Sequence, residues 1–64
     1  MRKYLYQFSW DCVHEDYVLR IFHEEDLTLA YEGWTEEISN NTVIERISEF
    51  DPDEFEIEEI EGEL

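Results

Sequence analysis

The chain has 64 residues, with 19 acidic and 4 basic side chains and a net charge of −15 when both histidines are neutral. A chain this short makes one domain and buries only about 60% of its unfolded surface. It has little room for a catalytic cleft, and its field repels nucleic acid and anionic membranes while attracting cationic surfaces.

Residues 3–12 alternate, with Tyr4, Tyr6, Phe8, Trp10 and Cys12 on one side and Leu5, Gln7, Ser9 and Asp11 on the other. Period two with aromatic enrichment predicts a strand. His14, Glu15 and Asp16 then read as a turn, and Tyr17 to Phe22 as a second strand, closing an antiparallel hairpin. Residues 27–38 fit two patterns. Asp26 suits a helix cap before the stripe Leu27, Ala30, Tyr31, Trp34 and Ile38. The same stretch also suits a third strand, Leu27 to Tyr31, closed by Glu32-Gly33. Thr28, Leu29 and the cost of Gly33 inside a helix favour the strand.

Thr42 and Glu45 have capping-box spacing, and Val43, Ile44, Ile47 and Phe50 form an apolar stripe. That predicts a helix over 42–50, with Thr35 as an earlier cap if the helix is longer. Asp51-Pro52 stops it, because the residue before proline disfavours the helical region. Phe55 and Ile57 alternate with Glu54, Glu56 and Glu58, which predicts a short strand with one acidic face. The expected fold is α+β: a small antiparallel sheet of three to four strands with one helix packed on one face, covering Phe8 and Trp10. Residues 61–64 are expected to fray.

Ten aromatic residues, with many Ile, Leu and Val, set the chain apart from disordered acidic tails. The lone Cys12 cannot close an intramolecular disulfide, which points to a reducing, cytoplasmic setting. No apolar run spans a bilayer, and the N-terminal sequence has no signal-peptide apolar region. Cys12, His14 and His23 supply too few paired ligands for zinc. Asp51, Asp53, Glu54 and Glu56 lack the calcium-loop glycine and terminal glutamate. There is no phosphate loop and no nucleophile signature. Neither enzymatic activity nor a metal or other cofactor is expected.

The acids therefore carry the functional information. Solubility needs a net charge of only about 2–8 on a small domain. The excess is held against self-repulsion, so added salt is expected to raise the melting temperature. The candidate partner-binding residues are Glu24, Glu25, Asp26, Glu32, Glu36, Glu37, Asp51, Asp53, Glu54, Glu56, Glu58, Glu59 and Glu61. Tyr31 and Trp34 are candidate aromatic anchors beside them if exposed, and core residues otherwise. Same-face residues on a strand repeat every ~6.7 Å, against one phosphate per ~3.4 Å along a DNA strand. Rows of glutamate thus approximate every second phosphate.

In size, charge, lone cysteine and sheet-plus-helix pattern, the chain resembles the small acidic phage proteins that mimic DNA, such as anti-CRISPR, glycosylase-inhibitor and anti-restriction proteins. The residues that carry the resemblance are Glu24-Glu25-Asp26, Glu36-Glu37 and Asp51 to Glu63. The resemblance implies an inhibitor that occupies a nucleic-acid site on a host defence enzyme, a CRISPR effector foremost. The alternative expectation is an acidic interaction module, antitoxin-like or allosteric, that binds a basic partner without imitating DNA. A homodimer through an open sheet edge is a third.

Overall fold

The computed structural model describes residues 1–61, so most of the stretch expected to fray lies outside the described residues. Four strands and one helix follow one another: β1 (Arg2–Asp11), β2 (Asp16–His23), β3 (Leu29–Thr35), α1 (Asn40–Phe50) and β4 (Phe55–Glu59). The strands form one sheet in the order β3-β2-β1-β4. The fold is α+β, as the alternation and the single helical stripe predict. No helix among the described residues is long and apolar enough to cross a membrane.

The predicted hairpin is present, with Tyr4 opposite His23 and Asp11 opposite Asp16. Asp11 closes its turn by accepting the N–H groups of Val13 at 2.9 Å and His14 at 3.3 Å. Cys12 lies exposed in that turn rather than facing the core. Glu15 takes the left-handed conformation there, at φ 55. A second turn joins β2 to β3, with Leu27 at φ 61. In it Asp26 accepts both the N–H and the hydroxyl of Thr28, at 3.1 and 2.7 Å. Asp26 thus closes a turn instead of capping a helix, and of the two readings of residues 27–38 the strand is correct.

The third strand starts and ends later than expected. It begins at Leu29, with a register shift against β2 between Ile21 and Phe22, and runs through Gly33 to Thr35. Gly33 continues the strand because Tyr31, two residues away on the same face, lies over it. A Cβ at Gly33 would overlap the Tyr31 hydroxyl and sit 2.8 Å from Cζ. The glycine makes room for a neighbouring ring.

Two further expectations are corrected. The sheet is mixed rather than wholly antiparallel, because β4 pairs parallel with β1, from Arg2 opposite Phe55 to Tyr6 opposite Glu59. β3 and β4 run in the same direction, and a parallel return needs a crossover, which α1 supplies. The helix also starts earlier, at Asn40. Its cap is Ser39, whose hydroxyl accepts the N–H groups of Asn41 and Thr42 at 3.1 and 3.4 Å. Its end is as predicted, at Asp51-Pro52.

The core joins Tyr4 and Tyr6 of β1, Leu19 and Ile21 of β2, and Val43 and Ile47 of α1. Of Phe8 and Trp10, both expected under the helix, Phe8 is half-buried against the core, whereas Trp10 lies beyond it. Eleven helical residues span about 16 Å, and ten strand residues about 33 Å. The helix covers the start of β1 only. Its first turn meets Tyr6, whose hydroxyl donates to Asn40 at 2.6 Å, and its end meets Tyr4. Trp10 is left 56% exposed, edge-on to Tyr17 at 4.9 Å.

Candidate functional site

The acids fall into two populations. All four Lys and Arg side chains pair within the protein: Arg2 with Asp51 at 2.7 Å, Lys3 with Glu58 at 3.4 Å, Arg20 with Glu32 at 2.6 Å and Arg46 with Glu49 at 3.3 Å. The chain therefore has no spare cation among them for its other carboxylates. Glu24, Glu25, Glu36, Glu37, Asp53, Glu54, Glu56, Glu59 and Glu61 are exposed.

Asp51 does not belong with them. It was expected on a binding surface, but it is 1% exposed at the end of α1. Its Oδ2 accepts the Tyr4 hydroxyl at 2.8 Å and the Arg2 guanidinium, and its Oδ1 accepts the N–H of Asp53 at 3.2 Å. The hydrogen bonds from Arg2 and then Tyr4 hold its carboxyl below the usual carboxylate range. Burial pushes the Tyr4 phenol up. Asp51 ties the helix to the first strand, and no partner reaches it. Tyr31 is likewise corrected as an exposed anchor: it is half-buried over Gly33 and packs against the core.

The remaining predicted residues do not share one face. Glu24, Glu25 and Asp26 occupy the turn before β3. They line a hollow of about 480 Å³ together with His23 and with Arg2 and Lys3, which Asp51 and Glu58 already engage. Thr28 holds the Asp26 carboxyl below its usual range through its hydroxyl and then its N–H. Glu36 and Glu37 follow β3 at its other end, about 20 Å away along seven strand residues. Glu54, Glu56, Glu58 and Glu59 run along the opposite edge of the sheet, on and just before β4.

Trp34 is an exposed anchor, at 50%. Its ring packs tilted against that of His14, with centroids 4.5 Å apart, and His14 in turn lies 3.3 Å from Asp11. Trp34 also borders a concavity of about 430 Å³ with Glu36 and Glu37, where Asp16 and Glu45 join them. Arg46 lines the same hollow but is engaged by Glu49. Sequence reasoning missed Asp16, Glu45 and the exposure of Trp10. Glu45 is an isolated acid within the helix, and Asp16 reads with His14 and Glu15 as part of a polar turn, so neither stands out as a binding residue. Trp10 sits in the same alternation as buried Tyr4, and only the reach of the helix distinguishes the two.

Cys12, His14 and His23 do not converge. His23 is half-buried with its ring 5.3 Å from that of Tyr4, and no metal-holding group of three or more His, Cys, Asp or Glu exists among the described residues. Compared with protein-family models, with curated proteins and with solved structures, the chain matches none.

Proposed function

We propose that this chain is an inhibitor that occupies the basic nucleic-acid-binding surface of a host defence enzyme, presenting carboxylates where that surface otherwise holds phosphates. The observation that supports this best is the internal pairing of every Lys and Arg beside many unpaired, exposed acids. The acidic field is not consumed by the fold. Carboxylates accept the forked Arg bonds that phosphates accept. Long-range attraction speeds encounter and makes it salt-sensitive. Along β4, Glu56 and Glu58 share one face at a spacing of about 6.7 Å, close to two phosphate steps.

The test is affinity capture from a host lysate, with partners eluted by salt, identified by mass spectrometry and rebound in the presence of duplex DNA. The expected partners are nucleic-acid-binding enzymes that DNA displaces from the chain. Partners without a nucleic-acid site would overturn the reading. Reversing Glu54, Glu56 and Glu59 to Lys is expected to weaken binding far more than reversing Glu15.

A second reading has its own observation. Trp10 and Trp34 are both about half exposed at the hairpin end of the sheet, and DNA backbones carry no such anchors. Aromatic anchors inside an acidic rim suit a protein interface outside a nucleic-acid channel. In that case DNA leaves the complex intact, and Trp34→Ala weakens it more than the glutamate reversals do.

A further inference from the structure

β4 is the last strand of the sheet, and nothing among the described residues pairs with its outer side. Ile60 donates its N–H to the Tyr6 carbonyl at 2.8 Å. Backbone groups alternate along a strand, so those of Glu58 and Glu56 also point to β1. Those of Phe55, Ile57 and Glu59 point outward and are free to extend the sheet. The two faces flanking this edge differ. On the helix side, Phe55 and Ile57 line a mainly apolar groove of about 360 Å³ with Ile44 and Met1, with Asp53 and Glu54 also lining it. Ile44 is 42% exposed there despite belonging to the apolar stripe of α1. On the other side stand Glu56 and Glu58, both exposed.

From this arrangement we infer that the β4 edge is a docking site for an extended segment of a partner protein, one whose apolar residues alternate with Lys or Arg, added as a fifth strand. This rests on the proposed reading that the partner is cationic, and it names the form in which the partner is held. Side chains of an added strand alternate between faces with the same period as β4. Apolar members enter the groove beside Ile44, Phe55 and Ile57. Basic members meet Glu56 and Glu58 on the opposite face. Lys3 already engages Glu58, so Glu56 is the uncompensated acid of the pair.

The same charges decide what does not bind. A second copy of this chain, paired edge to edge, would set Glu56 and Glu58 against their own duplicates. Like charges directly opposite across strands are destabilising. The edge thus refuses self-association and still accepts a basic strand, a selectivity that comes from repulsion as much as attraction.

The experiment uses the full chain and a capped synthetic heptapeptide that alternates Lys and Val. A control peptide of the same composition has all its lysines first. Amide exchange is followed residue by residue by NMR. With the alternating peptide, exchange of the Phe55, Ile57 and Glu59 amides is expected to slow by about tenfold or more, since each becomes hydrogen-bonded. The blocked peptide should leave them unprotected. Ile44→Ser, an exposed change that spares the core, should lower affinity for the alternating peptide by about tenfold, the worth of one apolar contact. Equal protection by both peptides overturns the inference. So does binding centred on Glu36 and Glu37 with the β4 amides unprotected, an outcome that leaves the cationic-partner reading standing. Failure of both peptides to bind at low salt overturns the two together.

Discussion

Asp51 and Glu56 are acids a few residues apart on the same stretch of chain, and they do opposite work. Asp51 is enclosed, and three donors meet it: the Arg2 guanidinium, the Tyr4 hydroxyl and the N–H of Asp53. Glu56 is exposed on an edge strand with no cation paired to it. The first region spends its charge inside the fold, and the second presents it to solvent. Net charge therefore overstates the binding surface, and acids must be sorted by what already touches them.

The strongest way to break this contrast is alanine at each position. Asp51→Ala strands the Tyr4 hydroxyl and the Arg2 guanidinium and uncouples the end of α1 from β1. It is expected to cause the largest loss of melting temperature of any single acid-to-alanine change. Tyr4→Phe, which removes one of the same bonds, should cost about 1–3 kcal/mol. Glu56→Ala should change stability by no more than about 0.5 kcal/mol, as for other surface positions. Chemical denaturation of the three variants checks the ranking, and equal losses at Asp51 and Glu56 would erase the distinction.

The same carboxylate sets a pH dependence. The Asp51 pKa is lowered in the folded protein, first by the bond from Arg2 and then by that from Tyr4. Below the unfolded value of about 3.9, the unfolded chain binds this proton before the folded one does, so stability falls with pH in that window. The contribution is whole above that value and is lost as pH drops through the depressed one. At the alkaline end the sign reverses. Burial raises the Tyr4 and Tyr6 pKa values, so their contribution holds below about pH 10 and fails as pH rises beyond it. Melting temperatures from acid to alkaline pH should therefore fall at both ends, and Asp51→Asn should flatten the acid limb most and the alkaline limb less, because the Asp51 charge also helps to raise the Tyr4 pKa.

Gly33 sharpens the contrast from the other edge of the sheet. β4 guards its edge with charge, whereas β3 lays the Tyr31 ring over a residue with no side chain. Gly33→Ala forces that ring away and should cost about 1–3 kcal/mol, as overpacking does. Gly33→Ala combined with Tyr31→Ala should recover part of the loss, measured as a double-mutant cycle.

How much of this could be read from the sequence depended on reach. Period-two alternation placed β1, β2 and β4, and Val43 with Ile47 placed the helix, because those signals are local. The parallel pairing of β4 was hidden, since direction is set by where the crossing helix returns the chain. The fate of Trp10 was hidden for the same reason: it shares a face with Tyr4 and Tyr6, and only the short span of α1 leaves it uncovered. For the site, acid runs showed where charge is dense. They did not show which acids were already taken. Asp51 looked like the start of the acidic tail, and its partners Arg2 and Tyr4 lie at the far end of the chain. Glu32 and Glu58 also lie far in sequence from the cations that engage them.

A more modest effect than those at Asp51 and Gly33 is expected at the other end of the same helix. Asp51 secures the C-terminal end through distant partners, whereas Ser39 secures the N-terminal end locally, by accepting the Asn41 and Thr42 amides. The first turn carries no acid and the last carries no base, so the helix's own terminal turns supply no charge that answers its dipole. The cap hydroxyl is then a main local support of the N-terminus. Ser39→Ala should cost about 1 kcal/mol. Thr42→Ala should cost less, because Thr42 lies inside the helix and is not its cap. The two variants compared by urea denaturation separate the observed cap from the capping box that the Thr42 and Glu45 spacing suggested. A larger loss at Thr42 would move the helix start to where the sequence placed it.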